Sequence, residues 1–448
     1  MASGADLTAV LRRAVASGDW DPLRARMRPD AVLRTSSEAG RRRLDGPDAI
    51  LAHLSGPGPG EVRTWAAQAW PAGVAVTFEW AGPAGTDRRR WYVRTGPDGR
   101  IAELWSIAAR PTGGADERSA PPPALLERLG VTDVAPLSHA GNSGAALLRA
   151  TTGDGRAFVL KHVLAGGDWL ARATRDDARS ARLYAAGAFE AMPAQLEHAI
   201  ETVERSGDGA WMAMRDVHAH LLGDTKRMTR EQSRRVLDVA AALHAAFHGA
   251  VPDGAATLGD RIGIPSPAVS EAERAGADLL PKQFEHAWEA FADVVPPDVA
   301  EPVLALIADA DRLAAALLAA HGGATLTHGD LRDDNLGFDG DRVVLIDWDL
   351  ATAGTPTAEF AWYLAQDAWR IDATHDEIEA DHRAAHGGTL SDEEVELGML
   401  SGLVQYGWLL AHSARVHPDP AETVWGREEL GWWVPRVRRA LERLGGAP

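Results

Sequence analysis

The most informative segment of this 448-residue chain is residues 327–335, THGDLRDDN, followed after a short apolar stretch by IDWD at 346–349. Between these two motifs the pattern predicts a β-hairpin, with a strand at Leu336–Phe338, a turn at Asp339–Asp341 and a returning strand at Arg342–Ile346. Because an Asp-Gly turn reverses the chain, the second motif is expected to return beside the first.

Three side chains of these motifs are predicted to converge. A tight loop lets Asp330 and Asn335, five residues apart, face one cleft, and the returning strand carries Asp347 back beside Asn335. Two carboxylates and an amide oxygen are ligands that suit a hard cation such as Mg²⁺ bound with nucleotide phosphates. The competing interpretation is that all three are solvated turn residues, but the apolar strand that ends in Asp347 favours a site.

The motif pair HGDLxxxN and IDWD resembles that of the aminoglycoside phosphotransferase and choline kinase superfamily, and the resemblance covers residues 125–440. It implies an α+β, bilobal, protein-kinase-like fold. The small β-rich lobe would occupy 124–216, and the large helical lobe would occupy 217–448. The resemblance also implies a small-molecule kinase that moves the γ-phosphoryl group of ATP to a hydroxyl group, with ATP and Mg²⁺ as cofactors.

The resemblance also assigns roles within the two motifs. Asp330 is expected to be the catalytic residue, which accepts the proton of the substrate hydroxyl, while Asn335 and Asp347 are expected to bind the metal. His328 is interpreted as a residue that braces the loop, and Asp349 as an outer or occasional metal contact.

A nucleotide site is predicted upstream. Lys161 ends the apolar strand AFVLK, is one of three lysines in the chain, and resembles the strand lysine that holds the ATP phosphates in this superfamily. The turn at 139–144 offers backbone N–H groups to phosphates. Met214, in WMAMRD, is predicted to lie at the interlobe hinge beside adenine. The predicted phosphate contacts in the turn are Asn142, Ser143 and Gly144.

One position departs from the family pattern. A helix glutamate pairs with the strand lysine in this superfamily, but Ser180 stands where this chain is expected to carry the acid. Asp176 or Asp177, one turn earlier, are the candidate substitutes. Otherwise Lys161 is expected to be less well oriented, which would weaken nucleotide binding or lower the rate. Ser180 is thus the feature that favours the alternative of a nucleotide-binding pseudokinase, whereas the intact Asp330, Asn335 and Asp347 count against it.

A separate domain is predicted at 1–110, joined by a Pro- and Gly-rich linker at 111–123. Its order of helices followed by strand-like runs, together with Gly18-Asp19-Trp20 and the segment MRPDAV, resembles the cone-shaped polyketide-cyclase-like (nuclear-transport-factor-like) fold. Its strand tryptophans are interpreted as core or interface residues, so the domain is a candidate homodimer contact. An activity carried mainly by this domain is a second alternative.

Composition narrows the partners. The chain has no cysteine and a net charge of −18, which argues against disulfides, thiolate metal sites and nonspecific nucleic-acid binding. No apolar run is long enough for a membrane span, so a cytoplasmic protein is expected. The expected partner is a hydroxyl-bearing small molecule, read by 372–381 and the C-terminal tryptophan-bearing helices, with its identity left open by the sequence.

Overall fold

The structure is a computed structural model of the chain. It describes residues 4–37, 40–56, 58–70, 73–82, 85–109, 120–137, 147–207, 209–223, 227–417 and 419–446. Most of the predicted linker at 111–123 and the predicted phosphate-binding turn at 139–144 lie outside these ranges.

Helices and strands occur in both halves of the chain. The helices are α1 (Gly4–Ser17), α2 (Asp21–Arg24), α3 (Pro47–Ser55), α4 (Pro123–Leu129), α5 (Trp169–Ala173), α6 (Arg179–Ala185), α7 (Arg230–Phe247), α8 (Leu258–Ile262), α9 (Pro267–Ala272), α10 (Leu280–Val294), α11 (Pro297–Ala308), α12 (Ala310–His321), α13 (Pro356–Asp367), α14 (His375–Ala385), α15 (Asp392–Arg415) and α16 (Pro420–Gly446). The strands are β1 (Met27–Ser37), β2 (Gly40–Asp45), β3 (Glu61–Trp70), β4 (Gly73–Gly82), β5 (Gly85–Thr95), β6 (Ile101–Ala109), β7 (Val131–Pro136), β8 (Leu147–Thr152), β9 (Ala157–Leu164), β10 (Leu196–Glu197), β11 (Ile200–Ser206), β12 (Gly209–Arg215), β13 (Ala256–Thr257), β14 (Thr325–Thr327), β15 (Leu336–Asp339), β16 (Arg342–Leu345) and β17 (Thr352–Gly354).

These elements form two compact units that do not follow chain order. The first unit comprises Met1–Gly114, Pro265–Leu304 and Gly407–Val434. The second unit comprises the remaining segments, Ala115–Ile264, Ala305–Tyr406 and Pro435–Pro448. The domain boundaries expected from the sequence stay a prediction.

The first unit is built on a six-stranded sheet with the order β2-β1-β6-β5-β4-β3. All its neighbouring strands are antiparallel except β1 and β6, which run parallel. The sequence predicts strands at Val62–Trp70, Val74–Trp80, Arg89–Arg94 and Ile101–Ala108, which correspond to β3–β6, whereas the pair β1–β2 was missed. The arginine-rich composition of β2 (GRRRLD) hides it, since an edge strand needs little apolar character.

The core of this sheet is filled by aromatic side chains. Trp80, Trp91 and Trp105 are each at most 5% exposed. A cavity of about 20 Å³ remains beside Trp20 and Phe78, which is room for about one water molecule. These three tryptophans therefore serve as core residues, which is one of the two roles expected from the sequence.

Helix α10 packs against this sheet within the first unit through buried polar contacts. Lys282 is 1% exposed, and its ammonium donates to the carbonyl of Ala108 at 2.9 Å. The amide of Gln283 donates to the hydroxyl of Tyr92 at 3.1 Å. A buried ammonium is costly unless its donors are satisfied, so α10 depends on the sheet for part of its stability.

The end of α15 belongs to the same unit. The ring of His412 lies edge-on to Tyr92 and Trp105, with centroids 4.7 Å and 5.7 Å away. Burial is the main reason why the pKa of His412 falls to about 3. Nearby, Arg415 pairs with the buried Glu103 at 3.1 Å.

The second unit begins with an antiparallel sheet of five strands in the order β11-β12-β9-β8-β7, and it becomes mainly helical from α7 onwards. Two small sheets, β10-β16-β15 and β13-β17-β14, lie within the helical part. The predicted α+β class, with a strand-rich part followed by a helical part, is confirmed. The predicted hairpin is present as β15 and β16, which pair Leu336 with Leu345.

Candidate active site

The loop that follows β14 is held on both sides of one residue, Gly329. Gly329 has φ +79°, and a Cβ atom there would lie 1.8 Å from the carbonyl oxygen of Leu350, so only glycine fits. Its N–H donates to Glu359 Oε1 at 2.8 Å, and its carbonyl accepts from Arg261 Nε at 2.5 Å. The backbone just before Asp330 is therefore fixed by buried charged groups.

Asp330 lies at the centre of a set of hydrogen-bond donors. Its Oδ1 accepts from Trp362 Nε1 at 3.1 Å, and its Oδ2 accepts from Asn335 Nδ2 at 2.9 Å and from Arg332 Nε at 3.3 Å. The side chain is 14% exposed. Both carboxylate oxygens are thus oriented, while the group keeps access to solvent and to a ligand.

His328 braces the loop, as the sequence analysis predicted. The ring is fully buried, and its Nε2 lies 2.9 Å from the carbonyl oxygen of Ile346. It also packs edge-on against Trp348 at 4.5 Å between centroids. These contacts tie the loop to the strand that carries Asp347.

The hairpin brings the second motif back to the first. The N–H of Ile346 donates to the carbonyl of Asn335 at 3.0 Å, so Ile346 lies opposite Asn335 and Asp347 is the next residue along the chain. Asp347 has φ +64°, a left-handed conformation that is uncommon for residues other than glycine. Such conformations cluster at functional sites, where the surroundings hold them in place.

Lys161 extends from β9 to the two acids of the IDWD motif. The lysine is 5% exposed, and its Nζ lies 2.7 Å from Asp347 Oδ1 and 2.6 Å from Asp349 Oδ2. Burial alone would lower the pKa of Lys161, but the two carboxylates outweigh it and raise the pKa above its ordinary value. Lys161 also lowers the pKa of Asp347 against the opposing effect of burial.

Ser180, which stands where an acid was expected, forms a hydrogen bond instead of an ion pair. The hydroxyl of Ser180 donates to Asp349 Oδ1, and the guanidinium of Arg179 donates to the backbone carbonyl of Asp349. Asp349 in turn pairs with Lys161. The carboxylate beside the strand lysine therefore comes from the IDWD motif, and α6 positions it through a serine.

The two acids named as substitutes have other partners. Asp176 accepts from the backbone N–H of Arg179 at 2.5 Å, and burial, partly opposed by Arg179, raises the pKa of Asp176 to about 6. Asp177 pairs with Arg182 at 2.7 Å. Within the described residues, the ion pairs of Lys161 are those with the IDWD acids.

The other predicted nucleotide contacts fall in two groups. Met214 is half-buried near the end of β12, opposite Val159 of β9, two residues before Lys161. Asn142, Ser143 and Gly144 lie outside the described residues. Contact of all four with a nucleotide stays a prediction.

The oxygen atoms of Asn335, Asp347 and Asp349 are of the kind that binds a hard divalent cation. The amide NH₂ of Asn335 donates to both the carbonyl and the carboxylate of Asp330, which fixes the orientation of the amide and reserves its oxygen for another partner. Asp347 and Asp349 supply carboxylates. No cluster of three or more His, Cys, Asp or Glu with metal-binding geometry occurs in the described ranges. An Mg²⁺ ion commonly takes one or two protein carboxylates and completes its shell with phosphates and water.

A protein-family comparison decides the classification. The model described as the phosphotransferase enzyme family (APH) matches residues 134–395, more than half of the chain. The chain belongs to this family. The match spans Lys161, Asp330, Asn335 and Asp347, and it confirms the resemblance found in the HGD and IDWD motifs. This phosphotransferase is therefore an enzyme with the kinase-like fold that the motifs implied.

Several solved structures are similar to this phosphotransferase. They include an aminoglycoside phosphotransferase from Alicyclobacillus acidocaldarius (16% identity, TM-score 0.40, covering 73% of this chain and 97% of that chain). A second is an aminoglycoside phosphotransferase from Streptomyces rimosus (18% identity, TM-score 0.40, covering 63% and 96%). A third is a choline kinase from Streptococcus pneumoniae (15% identity, TM-score 0.40, covering 72% and 97%). No curated protein matches the chain.

Several site residues of this phosphotransferase were missed by the sequence analysis. Arg261, Glu359 and Trp362 are distant in sequence from the loop that they hold, and no local spacing links them to it. Ser180 was noted only as a missing acid.

Within the described ranges, none of the helices has the length and apolar character needed to span a bilayer.

Proposed function

We propose that this phosphotransferase moves the γ-phosphoryl group of ATP to a hydroxyl group of a small molecule, with Mg²⁺. One observation carries this proposal. Lys161 is paired with two carboxylates, those of Asp347 and Asp349, and the hairpin holds this group next to the loop that orients Asp330. Asp330 and Asn335 are joined at 2.9 Å, and Lys161 and Asp347 are joined at 2.7 Å. Phosphoryl transfer needs positive charge on the phosphates and an oriented acceptor within one cleft.

Lys161 is the proposed phosphate contact. An ammonium group offers three N–H donors, so Lys161 can serve its two carboxylates and a phosphate oxygen together. The turn at 139–144 and Met214 are proposed to complete the nucleotide site. Because Lys161 is buried and held between two acids, little side-chain entropy is lost when ATP binds.

Asn335 and Asp347 are the proposed ligands of Mg²⁺, with Asp349 beside them. When bound, the ion would neutralise the phosphate charge that develops during transfer. The chain itself holds these oxygens in place, through the Asn335–Asp330 hydrogen bonds on one side and the Lys161 ion pair on the other.

Asp330 is the proposed base. The acceptor oxygen forms a bond to the γ-phosphorus, the bond from that phosphorus to the bridging oxygen of ADP breaks, and the hydroxyl proton passes to the Asp330 carboxylate. Trp362, Asn335 and Arg332 orient this carboxylate. Since the transition state is loose, orientation of the hydroxyl contributes more than strong basicity.

An assay of ADP release with Mg²⁺ and a panel of hydroxyl acceptors tests the proposal. Asp330→Asn keeps the shape of the side chain but cannot take the proton, and we expect turnover to fall by about 10²–10⁴-fold. Asp341→Asn is the matched control, because Asp341 is an exposed acid in the turn of the same hairpin. Undiminished turnover in Asp330→Asn would refute the assignment.

A further inference from the structure

A chain of hydrogen bonds leads from the Gly329 peptide into the interior of the second unit. Glu359 accepts the N–H of Gly329 with Oε1 at 2.8 Å, and its Oε2 lies 2.7 Å from His244 Nε2. On the other side of the same ring, His244 Nδ1 lies 3.3 Å from His386 Nε2. His386 Nδ1 lies 3.1 Å from the carbonyl oxygen of His382. Glu359, His244, His386 and His382 are called the histidine chain below.

The two inner members of the histidine chain are shielded from water. His244 of α7 is 4% exposed and Glu359, in the first turn of α13, is 5% exposed. His386, which caps the end of α14, is half-buried. Because a buried charge is costly unless it is paired and hydrogen-bonded, the protons on the inner members are determined by their partners.

The partners of His386 determine which nitrogens carry protons. A carbonyl oxygen can only accept, so His386 Nδ1 donates its proton to the carbonyl of His382. A neutral His386 then has a bare Nε2, which must accept from its neighbour. The neighbour is Nδ1 of His244, and this nitrogen therefore carries a proton.

The contact between His244 and Glu359 requires one further proton. A neutral His244 with its proton on Nδ1 would present a bare Nε2 to a carboxylate oxygen, and two acceptors do not approach to 2.7 Å without a proton between them. Burial would raise the pKa of Glu359, but the hydrogen bond and the charge of His244 outweigh burial and lower the pKa below its ordinary value. Glu359 is therefore ionised, and the further proton belongs to His244.

The other rings of the histidine chain are neutral. Burial is the main reason why the pKa of His386 falls to about 4 and why the pKa of His382 lies well below its ordinary value. The positive charge of the histidine chain is therefore carried by His244 and faces the Glu359 carboxylate. The other titratable and charged groups that act on these residues are Arg261, His321, His328, Arg383 and Glu394.

We propose that His244 is a doubly protonated positioning residue, which holds the loop of the proposed base through the Glu359 carboxylate. This inference rests on the phosphotransferase function proposed above. The cation fixes one oxygen of Glu359, and the other oxygen then holds the Gly329 peptide that precedes Asp330. A displacement of about 1 Å at a reacting group can cost about 10²-fold in rate, so the pair acts on turnover although neither member touches the substrate.

The protonation of His244 can be measured in the unmodified chain by ¹⁵N NMR with labelled histidine, with a His244→Phe or His244→Gln spectrum for assignment. An imidazolium has two N–H nitrogens with similar chemical shifts, whereas a neutral ring has one N–H and one bare nitrogen with widely different shifts. We expect the imidazolium pattern for His244 at about pH 8, where an ordinary histidine is neutral. A neutral His244 at this pH would overturn the inference and leave the phosphotransferase function standing.

Kinetics of ADP release give the second test. His244→Phe keeps a planar ring and removes both donors, and we expect kcat to fall about 10–100-fold because the loop loses its fixed position, with KM for ATP unchanged. His321→Phe is the matched control, because the pair of His321 with Glu394 at 2.8 Å is not part of the histidine chain, and this variant is expected to keep its kcat. An unchanged kcat in His244→Phe would show that the ring only fills space and would overturn the inference.

The double variant His244→Phe/Glu359→Gln separates positioning from packing. It removes the buried carboxylate together with its partner, and the amide oxygen at position 359 can still accept from the Gly329 N–H. We expect kcat at least about fivefold above that of His244→Phe, because no unpaired buried charge remains. If His244→Phe alone does not fold, a folded double variant is the predicted recovery. Absence of any recovery would overturn the inference, whereas absence of ADP release from the unmodified chain with every acceptor would remove the proposed function and the inference with it.

Discussion

The replacement of Asp349 by asparagine tests how Lys161, the proposed phosphate contact, is positioned. Lys161 is held by two carboxylates, at 2.7 Å from Asp347 and 2.6 Å from Asp349, and Ser180 orients the second of these. Asp349→Asn preserves the size of the side chain and removes one of the two charges. The lysine keeps Asp347 as a partner, so it is expected to stay charged but to lose its fixed position.

The expected magnitude follows from the kind of bond that is lost. A hydrogen bond to a charged group contributes about 1.5–3 kcal/mol. Because Lys161 keeps its ion pair with Asp347, we expect a loss near the lower end of this range. About 1.5–2 kcal/mol corresponds to a roughly 10–30-fold weaker interaction with ATP. We therefore expect KM for ATP to rise by that factor in Asp349→Asn, with a smaller change in kcat.

The assay is ADP release at a series of ATP concentrations, with thermal unfolding measured on the same preparation to exclude a folding defect. Ser180→Ala leaves the carboxylate in place but removes the hydroxyl that orients it, and we expect the same change in KM with a smaller size. A folded Asp349→Asn enzyme with an unchanged KM for ATP would refute the role given to Asp349.

Three further predictions concern stability. Gly329→Ala is expected to lower the melting temperature and to abolish turnover, because its Cβ would collide with a carbonyl oxygen; Gly340→Ala, at φ +59° in open space, is the control and should cost only about 1–2 kcal/mol. Since the pKa of His412 falls to about 3 in the folded chain, the unfolded chain takes up a proton first as pH drops below about 6.5. Folding stability should therefore decline between about pH 6.5 and pH 3, by about 2 kcal/mol at pH 5 from this residue alone, and denaturant unfolding of His412→Gln should show a shallower decline; an equal slope would contradict this. Deletion of residues 1–114 is expected to prevent stable folding, because the buried ammonium of Lys282 loses a carbonyl partner; a cooperative thermal transition at the wild-type temperature in the truncated chain would contradict it.

The geometry of the loop at 327–335 was predictable because the residues that determine it are close together in the sequence. Asp330, Asn335 and Asp347 occur within one loop and one hairpin, and a two-residue turn leaves little freedom in where the second motif returns. The Gly329 position is likewise local, since the backbone conformation of the loop requires it. The family match over 134–395 confirms the family that these motifs indicated, while the roles of the three residues stay a prediction.

The partners of these residues could not be predicted in the same way. Glu359 holds the loop from α13 and Arg261 holds it from α8, and both act through contacts that span long sequence separations. The missing acid at position 180 illustrates the difference. A substitute was sought at Asp176 or Asp177, just before α6 (Arg179–Ala185), whereas the structure supplies it from Asp349, 169 residues beyond Ser180.

The sequence also could not predict which segments of the chain form the first unit. Helical periodicity predicts a helix such as α10 but not the sheet on which it packs. The polar contacts of Lys282 and Gln283 with Ala108 and Tyr92 show that segments far apart in the chain share one unit. The assignment of the front sheet to the polyketide-cyclase-like fold stays a prediction.

The transfer itself can be observed directly by ³¹P NMR of the enzyme with ATP, Mg²⁺ and a panel of hydroxyl acceptors. The account predicts that the γ-phosphate signal of ATP is replaced by the signals of ADP and of a new phosphomonoester, and that Asp330→Asn suppresses this change. An ATP spectrum that stays constant with every acceptor, or one that yields only inorganic phosphate, would contradict it.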